Sequence, residues 1–391
     1  MEAAVSQPLE EAVELSIVLP CRNEAATVGR CVVKARAALA RLDVAGEILV
    51  VDNGSTDGSA EIAARAGARV IHEHAIGYGN ALRCGIEAAY GRFIVIADTD
   101  DSYDLSDLDD FLAALRDGAD LVMGSRFRGD IQPGAMPWLH RRIGNPLLSA
   151  FLRLLYGGSV SDAHCGMRAF TQDAARRMTL RSDGMELASE MVIKALLKRM
   201  RVAEVPITLH VDGRGREPHL RTFRDGWRHL RLMLLLSPTY LFVIPGVASV
   251  LVGLLPLTTL GHGPRALGPL SFDIHFLVLG SLLIILGVQV LTTGLFAKTY
   301  SQAIGLAPAD AMLRGFLRHF TLERGLVVGL ALFALGLGRD AAILLGWLRS
   351  GFGSLDAVRP ATQASTAMIV GLQLMFSSFF LSLLRWAPPG R

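Results

Sequence analysis

FIVIADTDDSYD, residues 93–104, runs five apolar residues straight into carboxylates at Asp98, Asp100, Asp101 and Asp104. A short apolar run bounded by polar residues reads as a buried parallel strand, which puts these aspartates at its carboxyl end. Open α/β sheets bind ligands at that edge. Clustered carboxylates raise one another's pKa unless a cation offsets the repulsion, and oxygen-only ligands on a loop suit Mg2+ or Mn2+ better than zinc. The competing reading is helix capping. Asp104, Ser106 and Asp107 precede the apolar-periodic residues 108–115 and are assigned to a helix N-terminus, but Asp98 and Asp100 lie too early for that role.

The neighbouring sequence repeats the pattern. Strand-like runs at 15–20, 47–52, 69–72, 92–98 and 120–124 alternate with helical segments at 24–42, 57–66, 79–89 and 107–116. Alternation of this kind predicts an α/β domain with a doubly wound, mostly parallel sheet. Two strands, EILVVD and FIVIAD, end in aspartate, so Asp52 and Asp98 are expected to share the ligand-binding edge. Asp52 can accept hydrogen bonds from a nucleobase or ribose, and Gly54 permits close backbone approach. Ser55 or Asp57 serves as a cap at the same turn, which does not account for Asp52. Further on, residues 138–156 carry Arg141 and Arg142 ahead of an apolar stretch that Pro146 kinks or starts. Residues 188–199 read as a helix and 202–209 as another strand.

Composition divides the chain. Hydrophobic residues are 51% of the total and charged residues 19%, and after about Leu232 long apolar runs dominate. Four stretches reach the roughly 20 residues needed to cross a bilayer, at 234–257, 274–297, 326–348 and 367–384. The third is interrupted by Arg339 and Asp340, which reads either as a span or as an early exit. Lys298, Arg314, Arg318 and Arg324 crowd the loop between spans two and three, whereas 261–272 holds only Arg265, so both termini are expected on the cytoplasmic side of the cell membrane. The N-terminal tail, 1–14, is acidic where a secretory signal is basic, so export of the leading domain is not expected. The four cysteines all precede the spans without paired spacing and are read as reduced thiols. A net charge of +3 is too small to imply nucleic-acid binding.

Before the first span, HLRTFRDGWRHLRLMLL places Arg221, Arg224, Arg228 and Arg231 at helical spacing, with Phe223, Trp227, Leu230 and Leu234 expected on another side. This predicts an amphipathic interfacial helix within 213–233. The segment GYGNALRCG, residues 77–85, follows the third strand and not the first, so it is not a dinucleotide fingerprint.

In order, SIVLPCRNE, VVDNGSTDGS, GYGNALRCGIEAAYGRFIVIADTDDS, MGSRF, DAHCGMRAF and the acidic segment around Glu190 make residues 15–236 resemble glycosyltransferase family 2, and within it the polyprenyl-phosphate glycosyltransferases such as dolichyl-phosphate mannose or glucose synthases. The resemblance implies a GT-A catalytic domain over 15–212 and a membrane domain over 234–391. It implies a nucleotide-sugar donor, UDP-glucose or GDP-mannose, and Mg2+ or Mn2+ at Asp98 and Asp100. It assigns Pro20, Arg22, Glu24, Asp52, Gly79, Asp98, Thr99 and Asp100 to the donor. It assigns Arg126, Arg141, Arg142, Arg168, Glu190 and Arg221 to the acceptor phosphate, with Asp100, Asp162 and Arg126 at the reacting centre. Glu190 has a second reading as an i,i+4 partner of Lys194, and Asp162 as a structural turn. A lipid phosphate is already anionic near neutral pH, so such an enzyme needs cations at the acceptor more than a general base.

The expected reaction is an inverting, metal-dependent hexose transfer, glucose or mannose, to a polyprenyl phosphate on the cytoplasmic leaflet, with room for a homo-oligomer. A membrane polysaccharide synthase is the rival, but its Q-x-x-R-W is absent, the only Arg-Trp pair being Arg385-Trp386. A lipid-sugar flippase with a regulatory first half is disfavoured by the complete set of motifs and by the few polar residues in the spans, Arg339, Asp340 and Gln289.

Overall fold

The computed structural model describes residues 13–215, 221–305 and 311–386; the expected N-terminal tail up to residue 12, and residues 216–220 of the expected interfacial region, lie outside the described residues. The chain divides into two compact units, Met1–Met233 and Leu234–Arg391.

The first unit is built on a seven-stranded sheet. Its strands are β1 (Leu15–Cys21), β2 (Gly46–Asp52), β3 (Arg69–His72), β4 (Phe93–Ile96), β5 (Leu121–Ile131), β6 (Arg168–Thr171) and β7 (Val202–Leu209), in the order β3-β2-β1-β4-β6-β5-β7. All seven residues of β1 and all four of β4 are buried, as apolar runs covered on both faces require. Helix α1 (Val28–Leu42) turns Val28, Cys31, Val32, Ala35, Ala38 and Leu39 onto this sheet, a stripe at helical spacing. The connecting helices α2 (Ser59–Ala66), α3 (Tyr78–Ala88) and α4 (Asp109–Arg116) complete the alternation.

Two features shape the binding edge. Strand β6 runs antiparallel between β4 and β5, so it starts where its neighbours end and delivers the preceding loop to their carboxyl edge. Its four residues are too short a run to stand out by periodicity. Strand β5 shifts register against β7 between Ser125 and Asp130, an irregular stretch that includes Arg126. Pro206 is tolerated because β7 is an edge strand.

The expected cap of α4 is not made. The helix begins at Asp109 with Leu108 at its N-cap, while Asp104 accepts from the backbone N–H of Ser106 at 3.0 Å in a local turn before it. Short polar side chains satisfy nearby backbone donors first, and here the turn wins. Asp101 belongs to α1, through Lys34 at 2.7 Å.

Helix α5 (Asn145–Tyr156) carries Pro146 in its first turn, as expected for a helix start. It is followed by α6 (Gln172–Met178), α7 (Leu187–Leu197) and α8 (Thr222–Leu235). In α8, Asp225, His229 and Met233 form the buried side, a third face besides those of the arginines and the aromatics, and Phe223 and Trp227 are 85% and 58% exposed. Hydrogen bonding decides this. Asp225 accepts from Arg221 N–H at 2.7 Å, and His229 Nδ1 meets Ser189 Oγ at 2.8 Å.

The second unit holds α9 (Ile244–Thr259), a hairpin of β8 (Arg265–Leu267) and β9 (Leu270–Phe272), then α10 (Ile274–Ala303), α11 (Ala311–His319), α12 (Leu322–Arg349) and α13 (Val358–Trp386). Among the described residues four helices are long and apolar enough to cross a membrane, Thr239–Thr259, Ile274–Ala303, Leu322–Arg349 and Val358–Trp386. The third is continuous through Arg339 and Asp340, so the chain does not leave the helix at that pair. Glycines let the helices approach closely: a Cβ on Gly253 would lie 2.5 Å from the Gly280 carbonyl oxygen.

Candidate active site

The register of β1 and β2 pairs Cys21 with Asp52, and β4 ends two residues before Asp98, so Pro20, Asp52, Asp98 and Asp100 come to one edge of the sheet. Thr99 Oγ1 donates to the Pro20 carbonyl at 2.8 Å and locks the loops after β1 and β4 together. Asp52 accepts from Ser55 N–H at 3.2 Å and faces His72 Nδ1 at 3.3 Å. Asp57 accepts from the N–H groups of Ser59 and Ala25, tying α2 to the loop after β1. Arg22 is exposed at the end of β1, and Glu24 is buried beside it.

Asp98 receives the Tyr78 hydroxyl at 2.8 Å, and its other oxygen is pressed against Gly166, where a Cβ would sit 2.4 Å away. Burial, then the Asp100 charge, pushes Asp98 up to about 6. Asp100 accepts from Ser102 N–H at 3.0 Å and from the Ser102 hydroxyl at 2.5 Å. Its Oδ2 pairs with Arg214 Nη2 at 2.5 Å, and Arg214 Nη1 reaches Glu24 at 3.2 Å.

Arg214 was not singled out in the sequence. It lies in a glycine-bearing loop after β7, and Gly213 N–H donates to the Asp100 carbonyl at 2.9 Å. Tyr78 was also not singled out in the sequence.

Gly79 fails as a donor contact. Its N–H donates to the Asp183 carbonyl at 2.9 Å, and a Cβ there would fall 2.3 Å from the Ser182 carbonyl oxygen. The N-terminus of α3 is thus covered by the loop at 181–184, which Glu190 holds in turn. Its carboxylate accepts from the N–H groups of Arg181 and Ser182 at 2.9 and 2.7 Å and pairs with Lys194 at 2.5 Å. Glu190 is therefore a latch for this loop and not an acceptor ligand, its i,i+4 reading being the one observed.

Arg168 is corrected likewise. Only 1% exposed, it donates to the carbonyls of Cys165, Ala163 and Ala188 and fixes the loop ahead of β6. That loop presents Asp162, fully buried and joined to Arg126 by a fork: Nε to Oδ2 at 2.6 Å, Nη2 to Oδ1 at 2.7 Å, with the Arg126 backbone N–H adding 3.1 Å. Glu204 on β7 sets the loop from behind by accepting from Ser161 and Asp162 N–H at 2.6 and 3.3 Å. Arg126 Nη1 makes no hydrogen bond among the described residues. Arg141, Arg142 and Arg221 are exposed.

His164, unassigned from the sequence, stacks edge-on against His229 at 4.6 Å between ring centroids, with Ser189 Oγ at 3.3 Å from its Nε2. Burial pushes the thiols of Cys21, Cys31 and Cys165 up to about 12, which makes them poor nucleophiles.

Asp98 and Asp100 offer carboxylate oxygens and no nitrogen or sulfur. Among the described residues no cluster of three His, Cys, Asp or Glu could hold a metal. Such a pair fits a hard divalent cation that keeps several waters and takes further ligands from substrate phosphates. Burial first, and the Asp100 charge second, raise Asp98, and a cation would offset both by favouring the charged carboxylate.

A family model described as glycosyl transferase family 2 matches residues 16–179, and one described as the glycosyltransferase family 2 C-terminal transmembrane region matches 295–385. The chain is 40% identical to the low-salt glycan biosynthesis hexosyltransferase Agl6 of Haloferax volcanii, over 98% of this chain and 92% of that protein. It is 34% identical to a dolichyl-phosphate hexose transferase of the same organism, over 50% of this chain and 82% of that one. Among solved structures, glucosyl-3-phosphoglycerate synthase from Mycobacterium tuberculosis in complex with Mn2+, UDP and glucosyl-3-phosphoglycerate is 24% identical over 57% of this chain and 79% of that one, at a TM-score of 0.46.

Proposed function

Because the chain belongs to glycosyltransferase family 2, as an integral membrane glycosyltransferase, we propose that it transfers a hexose from a nucleotide sugar to a polyprenyl phosphate, with its catalytic unit on the cytoplasmic side. One observation carries the choice of acceptor. Asp162, the acid that the family resemblance puts near the acceptor, is fully buried and clamped by the Arg126 fork. Both of its oxygens are taken up by N–H groups of Arg126, so the carboxylate is held in a structural pair and away from proton abstraction. An acceptor that needs no deprotonation, an anionic phosphate, suits such a site better than a sugar hydroxyl.

Asp52 and the loop after β1 would receive the nucleoside, and Asp100 with Asp98 would hold Mg2+ or Mn2+. Bound there, the cation would act as a Lewis acid on the departing diphosphate. The free edge of Arg126 would meet the acceptor phosphate, with Arg141 or Arg142 as the more exposed second cation. Asp162 orients Arg126, and the buried Ser102 contacts hold Asp100 in place. Inversion follows from a single displacement, since the lipid phosphate itself is the nucleophile. Glucose and mannose, as UDP-glucose and GDP-mannose, are the donors to test first.

The test uses the full chain in mixed micelles with polyprenyl phosphate and a panel of radiolabelled nucleotide sugars. Label extracted into the organic phase, dependent on the lipid phosphate, is the expected result. Label entering only a polymer, or no lipid-dependent transfer with any donor, overturns the acceptor assignment.

A further inference from the structure

The second unit carries two glutamines at the same membrane depth. Gln289 is the sixteenth of the 30 residues of α10, and Gln373 is the sixteenth of the 29 of α13, so both lie near the middle of their spans. Ser281 and Thr366, joined at 2.6 Å, show the two helices side by side and in step. Gln373 Nε2 donates to Gln289 Oε1 at 3.2 Å and approaches the Ile285 carbonyl at 3.4 Å. The pair does not close on itself. Gln373 Oε1 is buried without a partner, and Gln289 Nε2 makes no hydrogen bond among the described residues although its side chain is exposed. Rotating either amide exchanges N and O but leaves the same shortfall. Hydrocarbon supplies no replacement for these bonds.

The surface around Gln289 has a pattern of its own. Leu279, Leu282 and Leu286 are 48%, 51% and 58% exposed, and with Gln289 and Thr293 they recur at alternating spacings of three and four. That is the heptad seam of a left-handed helix pair, and one polar residue in such a seam selects register and partner. The other flanks of α10 are already used, Gly280 against α9 and Ser281 against α13. An amide is both donor and acceptor, so Gln289 is complementary to itself across a two-fold axis.

We infer that this stripe of α10 is a self-association surface, on which a second copy of the chain docks with its own Gln289 so that the two exposed Gln289 amides pair at mid-membrane. Lipid, water or a different membrane protein would leave the seam without its symmetric partner. The inference does not rest on the proposed reaction, because its readout is assembly.

The test combines two kinds of variant of the full chain. Leu286→Cys, oxidised in intact membranes, is expected to give a disulfide-linked dimer, whereas Val327→Cys on the lipid-facing side of α12 gives none. Gln289→Leu is expected to weaken dimerisation in lipid nanodiscs by about three- to tenfold, the scale of a membrane hydrogen bond, whereas Gln373→Leu, which removes the same internal bond but keeps the exposed Gln289 amide, is expected to dimerise like the wild type. No crosslink at Leu286→Cys, a crosslink only to another protein, or equal dimerisation by Gln289→Leu each overturns the inference.

Discussion

Arg214 and Asp100 form an ion pair, guanidinium Nη2 to carboxylate Oδ2 at 2.5 Å, and the same guanidinium bridges to Glu24. A divalent cation directed at Asp100 therefore competes with Arg214 for one oxygen. Removing the competitor by Arg214→Ala should raise Mn2+ affinity by about tenfold, or ~1.4 kcal/mol, since Asp100 keeps its Ser102 contacts. Titration followed by electron paramagnetic resonance reads this without turnover. Equal or weaker binding would mean that arginine and cation occupy different positions.

Asp100→Asn separates charge from fold. The amide oxygen can still accept from Ser102 N–H and its hydroxyl, so the loop keeps its shape. What is lost is the negative charge, and transfer should fall by about 10²- to 10³-fold. The melting temperature should move little. EDTA should reproduce the loss in the wild type, and near-normal turnover in either case would sink the metal assignment.

The Arg126 fork makes the obvious acceptor mutant a stability mutant as well. Arg126→Ala leaves the Asp162 carboxylate fully buried without its counter-charge, which costs about 3–5 kcal/mol. Arg126→Met combined with Asp162→Leu removes both charges and should recover most of that stability while transfer stays lost. Differential scanning fluorimetry alongside lipid transfer distinguishes the two effects. A stable Arg126→Ala protein would show that the pair contributes nothing to the fold.

Much of this was legible before any coordinates. The apolar runs ending in Asp52 and Asp98 gave the sheet and its edge, because a strand buried on both faces leaves an unmistakable pattern. The membrane spans followed from length alone. Roles within the site were harder to read. Arg168 and Glu190 carry charges that look like ligands, yet each satisfies backbone groups of its own loop, a demand that composition does not display. The buried face of α8 was not foreseen, because it is chosen by Asp225 and His229, polar residues whose partners, Arg221 N–H and Ser189, had to be placed first. Arg214 was missed because it becomes informative only when the fold lays its loop over Asp100.

The His229 and His164 pair sets a pH dependence whose sign can be worked out. Burial, and then the Arg168 charge, pull His229 down to about 4, against the opposing pull of Asp225. Burial and the charges of His229, Arg126 and Arg168 pull His164 well below its usual value too. In the unfolded chain both rings titrate near 6.5, so between there and about pH 4 the unfolded state binds protons that the folded state refuses. Their contribution is therefore intact above about pH 6.5 and is lost as the pH falls toward 4. Carboxylates held down in the fold, such as Asp57 and Glu190, lose their stabilisation only at still lower pH. His229→Gln can keep a hydrogen bond to Ser189 but cannot take up the proton. Thermal midpoints measured from pH 7.5 to 5 should fall more steeply for the wild type than for His229→Gln, by a margin that grows to the order of 1–2 kcal/mol at pH 5. Superimposable profiles would mean that His229 titrates alike in the folded and unfolded chain, and that the Ser189 contact does not keep it buried and neutral.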